Sequence, residues 1–379
     1  MIAITVYGGD RREIVYEISK VLADANVNIV DIEQRVLNKI FLMYMVADCS
    51  KSNLSFEELK LKLFEVGRSL NVEVHVSKFE RLKNLYVITV LGRDRVGIVR
   101  DISRILLDHG VDIKRTSLIA RDKLISIEFL VDIGDADCNQ LKRDLKREAE
   151  AVSLDVVIQP YEKREKRLIV FDMDSTLVDA EIIDEIARYA GVEEDVRRIT
   201  ERAMRGEMEF KEALKERVKL LRGLPVEVLE RIYRNVKLTE GAKELVQALK
   251  KNGYKVAVVS GGFSYFTERL KEELGLDYAF GNELEIKDGK LTGKIKGRII
   301  DAEEKAKIIE EIAKKEGISK ENVVAVGDGA NDRIMIENAG LGIAFNAKDA
   351  LKDVADGTIS KENLIGLACV LGLFRRGSY

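Results

Sequence analysis

A chain of 379 residues with 46% apolar and 34% charged side chains, 28 glycines and 2 prolines has the make-up of a soluble globular protein of two or three domains, which excludes disordered, collagenous and membrane-spanning classes. Its 63 basic and 66 acidic residues leave a net charge of -3, so no whole-chain field draws in nucleic acid or anionic lipid, and any anion site must be local. Cys49, Cys138 and Cys369 are an odd, scattered set with no C-x-x-C, which fits a reducing compartment. The first ten residues lack the basic and apolar regions of a signal peptide, and the longest apolar run, 364–374, is too short to span a bilayer, so a cytoplasmic location is expected.

The front of the chain is a repeat. Ile4-Thr5-Val6, Gly8, Asp10-Arg11 and Ile14-Val15 recur 84 positions later as Ile88-Thr89-Val90, Gly92, Asp94-Arg95 and Ile98-Val99. Ile18, Ser19, Leu22, Asp24, Val27 and Ile29 continue the match without a gap, as Ile102, Ser103, Leu106, Asp108, Val111 and Ile113. Each copy opens with a strand (2–6; 86–90), a loop and a helix whose apolar residues fall at the 3.6 period: Ile14, Ile18, Val21 and Leu22 in the first. Strands over 29–36 and 40–46, a helix over 56–70 and a strand over 72–76 follow. The order β-α-β-β-α-β predicts two α+β ferredoxin-like modules, 1–80 and 84–161.

The six charged residues Glu162 to Arg167 cannot all be buried and mark a boundary. From 167 to 379 the pattern changes. Leu168 to Phe171, Val256 to Val259 and Val323 to Val326 are continuous apolar runs, each stopping at a polar or glycine-rich loop and separated by helical periodicity. That predicts an α/β domain with a doubly wound, Rossmann-like parallel sheet. The Lys/Glu/Arg-rich stretch of about 180–238 is too long for one crossover and reads as an inserted helical cap; Asp288-Gly289 sets a hairpin within an insertion at about 280–299.

Asp172-Met173-Asp174-Ser175-Thr176 follows the first run, at the carboxyl end of a buried strand where open α/β sheets bind ligands. Two carboxylates in that spacing provide one group to attack and one to handle protons. Ser260-Gly261-Gly262 supplies a hydroxyl and unhindered N–H groups after the next run, suited to phosphoryl oxygens. Lys305 adds positive charge, and Gly327-Asp328-Gly329-Ala330-Asn331-Asp332 adds carboxylates suited to a hard cation such as Mg²⁺. Singly these are ordinary turns and a helix lysine. In this order, each at a strand end, they converge on one site.

With these four motifs, 167–374 resembles the haloacid dehalogenase superfamily and, within it, the phosphoserine phosphatase family. The resemblance implies Mg²⁺-dependent hydrolysis of O-phospho-L-serine, the final step of serine biosynthesis, through an aspartyl phosphate. In that reading Asp172 is the nucleophile and Asp174 the acid and base. Mg²⁺ is held by the Asp172 carboxylate, the Asp174 main-chain carbonyl and Asp328. Ser260, Gly261, Gly262 and Lys305 take the phosphoryl oxygens, and Asn331 and Asp332 orient Lys305 and metal-bound water, Asn331 also counting among the substrate contacts. In the cap, Glu181 pairs with the substrate ammonium and Arg217 with its carboxylate, while Met204 and Phe210 close the apolar side.

The repeats resemble ACT domains, modules that commonly bind amino acids. Gly92 to Val99 matches their strand-to-helix loop, and the first copy departs from it with Glu13 in place of Gly97. The resemblance implies L-serine or another amino acid as effector near Asp94, Arg95, Val96, Gly97 and Ile98, or a pair of modules that only joins two chains in a homodimer. Other readings stay open: a phosphatase or phosphotransferase acting on another small phosphomonoester, or an amino-acid-sensing regulator with a vestigial phosphatase body. His75 and His109 lie in different repeats without neighbouring ligands, and no aromatic and basic interleaving points to RNA or DNA.

Overall fold

Alternation of buried Ile2, Ile4 and Val6 with more exposed neighbours builds β1 (Ile2–Gly9), which lies between β3 (Ile40–Asp48) and β4 (Val72–Lys78), with β2 (Asn28–Leu37) outside β3. Helices α1 (Ile14–Asp24) and α2 (Phe56–Ser69) cover one face, burying Ile14, Ile18, Leu22, Leu59 and Leu63 against Phe41, Met43 and Met45. Ser55 starts α2 by accepting from the Glu58 N–H, while the Glu58 carboxylate accepts from the Ser55 N–H. Loss of such a cap costs roughly 0.5–2 kcal/mol. The second repeat builds β5 (Leu85–Gly92), α3 (Ile98–Asp108), β6 (Asp112–Arg121), β7 (Ile125–Asp132), α4 (Cys138–Ala151) and β8 (Leu154–Pro160), in the equivalent order β6-β7-β5-β8.

This computed structural model describes residues 1–79, 84–121, 124–162 and 165–373. Lys163 and Arg164 of the charged run, and Phe374 at the end of the last apolar run, lie outside the described residues. The chain forms two compact units, Met1–Leu82 and Lys83–Tyr379, so the second repeat shares a unit with everything that follows it.

In that second unit the continuous apolar runs are strands β9 (Leu168–Phe171), β10 (Lys255–Phe263) and β13 (Val323–Gly327). With β11 (Tyr278–Lys287), β12 (Lys290–Lys296), β14 (Leu341–Phe345) and β15 (Gly357–Ile359) they give the order β12-β11-β10-β9-β13-β14-β15, parallel except for the β11–β12 hairpin. Side chains split by parity. Ile169, Phe171, Val256, Val258, Val324 and Val326 face one layer; Leu168, Val170, Ala257, Val259, Val323 and Ala325 face the other. Both faces are covered, which is why these runs carry no polar alternation. The cap is four helices, α5 (Ile182–Ala190), α6 (Glu193–Met204), α7 (Phe210–Leu220) and α8 (Glu227–Asn235). Helices α9 (Ala242–Lys251) and α10 (Ser264–Leu274) cover the first layer. Helices α11 (Ala302–Glu316), α12 (Arg333–Asn338) and α13 (Asp349–Lys352) cover the second.

The sheet does not end at β15. Gly357 pairs antiparallel with Val157 of β8, and eleven strands run on into the second repeat. The face of that repeat's sheet turned away from α3 and α4 is covered by the α/β body that follows it. Leu91 and Val157 belong to the larger core, and Gln159 Nε2 donates to the Val370 carbonyl of α14 (Leu367–Val370) at 3.1 Å. In the first repeat the corresponding Tyr7, Leu42 and Tyr44 are exposed.

Candidate active site

Strand β9 ends at Phe171, and Asp172 keeps extended backbone with its N–H on the Val326 carbonyl at 2.9 Å, which fixes it beside β13. The chain then turns tightly: Asp174 is extended and Ser175 is left-handed at φ 55°. The two carboxylates therefore have different surroundings. Asp172 meets Lys305, its Oδ1 2.8 Å from Nζ. Asp174 turns to β10: its Oδ2 accepts from Ser260 Oγ at 3.2 Å and its Oδ1 from the Ile182 N–H at 2.8 Å, at the start of the cap.

Lys305 is fully buried in the first turn of α11, whose start is capped by Asp301. Its ammonium lies between Asp172 and Asp332, 2.6 Å from Asp332 Oδ1. Burial alone would lower its pKa, but these two carboxylates outweigh it and hold the lysine above its ordinary value. Asp332 Oδ2 accepts from the Asp328 and Gly329 N–H groups at 3.2 and 3.1 Å, tightening the loop after β13. Gly327 leaves room for it: a Cβ there would lie 2.5 Å from the Asp332 side chain.

Carboxylate oxygens of Asp172, Asp328 and Asp332 lie within 4.8 Å of one another. Burial first, and then Asp332 and Asp172, push the Asp328 carboxyl up to about 8. Asp332 is raised to about 6, chiefly by burial and next by Asp172, against the pull of Lys305. Asp172 Oδ1 is buried and meets the Lys305 ammonium as an ion pair at 2.8 Å. Three carboxylates brought together in this way, with one lysine among them, fit a hard cation. Asp172 and Asp328 could hold it, whereas Asp332 is already engaged by Lys305 and two N–H groups. The Asp174 carboxylate stands apart from the cluster, as a group reserved for proton transfer would; burial first, then Glu181 and Asp172, push it up to about 8.

The phosphoryl-side residues converge. Ser260 Oγ also accepts from the Gly262 N–H at 2.8 Å, and Phe210 of the cap lies over Gly261, 3.1 Å from where a Cβ would be. Asn331 folds against Gly329. Sequence reasoning missed Asn282. Fully buried in β11, it donates to the Gly261 carbonyl at 2.7 Å and accepts from the Ile300 N–H at 2.8 Å, fixing the peptide that follows Ser260. An amide at a buried strand position was the available signal.

In the cap, Glu181 accepts from Ser175 Oγ at 2.8 Å. The residue is exposed, yet the protein around its carboxylate withholds enough water to push its carboxyl up. Arg217 makes only long contacts to neutral oxygens, Thr200 Oγ1 and the Ala213 carbonyl, both at 3.4 Å, and desolvation lowers its pKa against the influence of Asp184 and Glu181. Among the described residues neither Glu181 nor Arg217 closes an ion pair. Asp184, which Arg217 influences in turn, is a further cap carboxylate that sequence reasoning did not single out. Met204 is 65% exposed at the end of α6 and is not sealed among the others.

The chain matches the haloacid dehalogenase-like hydrolase family over residues 166–340 and the ACT domain family over 1–77 and 84–159. It is 68% identical over 340 residues to a phosphoserine phosphatase of Archaeoglobus fulgidus, covering 88% of this chain and 98% of that one. A phosphoserine phosphatase of Streptomyces coelicolor is 35% identical over 381 residues, with 98% and 92% covered. Among solved structures, a probable phosphoserine phosphatase from Vibrio cholerae in unliganded form superposes with a TM-score of 0.62 at 35% identity, over 76% of this chain and 87% of that one. A haloacid dehalogenase family hydrolase from Salmonella enterica gives 0.67 at 29% identity, over 76% and 98%. The fold and site are those of a haloacid dehalogenase-like hydrolase preceded by ACT domains. Within that class, the chain belongs to the phosphoserine phosphatases. Among the described residues no helix is long and apolar enough to cross a membrane.

Proposed function

We propose that this chain hydrolyses O-phospho-L-serine to L-serine and phosphate, with Asp172 as nucleophile. One observation supports the reading: Arg217 and Glu181, which close no ion pair among the described residues and carry the charges that match an amino acid's carboxylate and ammonium, both act on Asp174 beside Ser260. An Asp172 oxygen bonds phosphorus as the bond to the serine oxygen breaks, and Asp174 gives that oxygen its proton. In the second half Asp174 takes a proton from water, whose oxygen attacks phosphorus and releases Asp172. Ser260 and the N–H groups at Gly261 and Gly262 receive phosphoryl oxygens, and Lys305 holds Asp172 in place between those events. Asp172, Asp328 and the Asp174 main-chain carbonyl would hold Mg²⁺, which offsets the repulsion between an anionic nucleophile and a dianionic substrate.

Amino-acid control by the second repeat belongs to the same reading. Gly97 sits at φ 98°, a left-handed conformation, at the start of α3, beside a groove of about 320 Å³ lined by Asp94, Arg95, Gly97 and Ile98. In the first repeat Glu13 begins α1 with right-handed backbone at φ -84°, so the two loops differ in shape as well as sequence. The effector fitting this groove is L-serine or another amino acid; calorimetric titration of the full chain with the amino acids tests it, and no heat from any of them rejects it.

The principal test is phosphate release from phosphoserine in Mg²⁺, comparing the intact chain with Asp172→Asn. The expected loss is about 10³-fold or more. Equal rates from a folded Asp172→Asn chain would falsify the proposal.

A further inference from the structure

Where the second repeat meets the phosphatase body, within the same compact unit, a cleft of about 1140 Å³ opens between α4 and the loop after β5 on one side and β14, α13 and β15 on the other. It is remote in chemistry from the acidic catalytic cluster. It is also larger than a free amino acid needs and of the size class that takes nucleotide-sized ligands. Arg143, Lys146 and Arg147 stand at i, i+3 and i+4 on α4 and present one basic stripe to it. Lys352 of α13 faces them, and Asn346, Thr358 and Ser360 add neutral hydrogen-bonding groups.

Acidic side chains also line the cleft, but most are engaged. Glu150 and Asp349 both pair with Lys352, and Asp155 accepts from Ser360 Oγ at 3.0 Å. Two of the α4 cations, Lys146 and Arg143, are less well matched. Lys146 is buried, and its ammonium reaches only two neutral carbonyls, of Lys352 and Ala355, leaving a third donor. Desolvation, followed by the charge of Lys142, lowers its pKa against the pull of Asp353 and Asp356. Arg143 reaches only the Gln140 amide oxygen. At the rim, Arg95 pairs with Asp101 but leaves a buried Nε without an acceptor.

We propose that this cleft binds a small polyanion, a molecule carrying two or more phosphate or carboxylate groups, between the α4 cations and α13. The geometry suits such a ligand because its charges can reach Arg143, Lys146 and Arg147 together: Arg143 meets only an amide oxygen, Lys146 only two carbonyls, and Arg147 pairs with Asp144 at 3.0 Å and Glu148 at 3.6 Å, neither of which lines the cleft. Bound there, the anion bridges the second repeat and the phosphatase body.

The test is calorimetric titration of the full chain in metal-free buffer with pyrophosphate, ADP and citrate as separate probes. Omitting the cation keeps it from recruiting anions to the catalytic cluster, and the double variant on α4 shows whether the cleft is what is read. The expected result is saturable binding of at least one probe, one per chain, weakening as salt rises. In Arg143→Ala/Arg147→Ala it falls roughly tenfold or more. The two arginines are solvent-exposed, so the variant keeps its fold, and an unchanged denaturation midpoint confirms this. Pyrophosphate and ADP together identify a phosphate-bearing ligand; citrate alone identifies a polycarboxylate. Absence of saturable heat from all three, or equal affinity in the folded double variant, overturns the proposal.

Discussion

Asp174 and Gly262 are in such close approach that a Cβ on Gly262 would stand 2.6 Å from Asp174 Oδ2, and 2.9 Å from the Met173 Cε behind it. Gly262 also donates its N–H to Ser260, which in turn donates to Asp174, so the glycine leaves room for the carboxylate and helps aim it. Gly262→Ala is expected to displace Asp174 and lower kcat about 10²-fold, the scale of a misplacement of about 1 Å. Steady-state kinetics beside a denaturation curve checks this: activity should fall far more than stability.

Lys305 is fully buried between two carboxylates at 2.8 and 2.6 Å. Lys305→Met removes the charge and leaves Asp172 and Asp332 facing each other, a loss of about 3–5 kcal/mol in unfolding free energy. Adding Asp332→Asn should recover part of that stability and none of the activity. Urea denaturation of the single and double variants measures both signs; a double variant no more stable than the single would contradict the bracket.

Chelation should stop phosphate release and Mg²⁺ should restore it. A readout independent of turnover is thermal unfolding: a ligand at about 100 times its Kd contributes about 2.7 kcal/mol to stability. Mg²⁺ is therefore expected to raise the Tm of the intact chain, and to raise it less in Asp328→Asn, which lacks one of the two carboxylates proposed to hold it.

Arg217→Ala should raise the KM for phosphoserine about 10²-fold or more while changing that for a simple aryl phosphate little, because only phosphoserine carries the carboxylate the guanidinium would meet. Equal effects on both substrates would take Arg217 out of the pocket. Met204, exposed at the end of α6, should tolerate Met204→Ala with less than about a threefold change in either constant.

A pH dependence follows at the base of the sheet. Burial alone would raise the Asp277 carboxyl, but the Lys250 ammonium at 2.6 Å and the Val256 N–H at 2.8 Å hold it below the ordinary carboxylate range. A depressed folded-state pKa contributes stability above the unfolded value and loses it as pH falls through the folded one. Asp277→Asn is therefore expected to lower the denaturation midpoint at pH 7 and to matter progressively less in acid below about pH 4.

The repeat, the parallel sheet, the inserted cap and the four motifs were legible because each is written locally: a period, an apolar run, or a glycine and carboxylate beside a strand end. Asn282 was not, since nothing near it in sequence reveals that its amide bonds Gly261, 21 residues back. The different fates of Asp332 and Asp328 were only half legible: the motif's spacing makes both metal candidates, the family resemblance separates them, and the packing of Asp332 against Lys305 and the loop N–H groups gives a physical reason for the difference. The continuation of the sheet from β15 to β8 was also invisible, because it depends on Gly357 meeting a strand 200 positions earlier.

That junction constrains how anything felt by the second repeat could travel. A side chain on Gly357 would strike Val157 Cα at 2.6 Å, and the neighbouring Ile158 N–H donates to the Asp356 carbonyl at 3.1 Å, so the two halves are spliced edge to edge. A bead on a string swings on its tether; this one is planking nailed to the same deck. Its displacement must arrive at the strands bearing Asp328 and Asp172 as twist or shear of a common lattice.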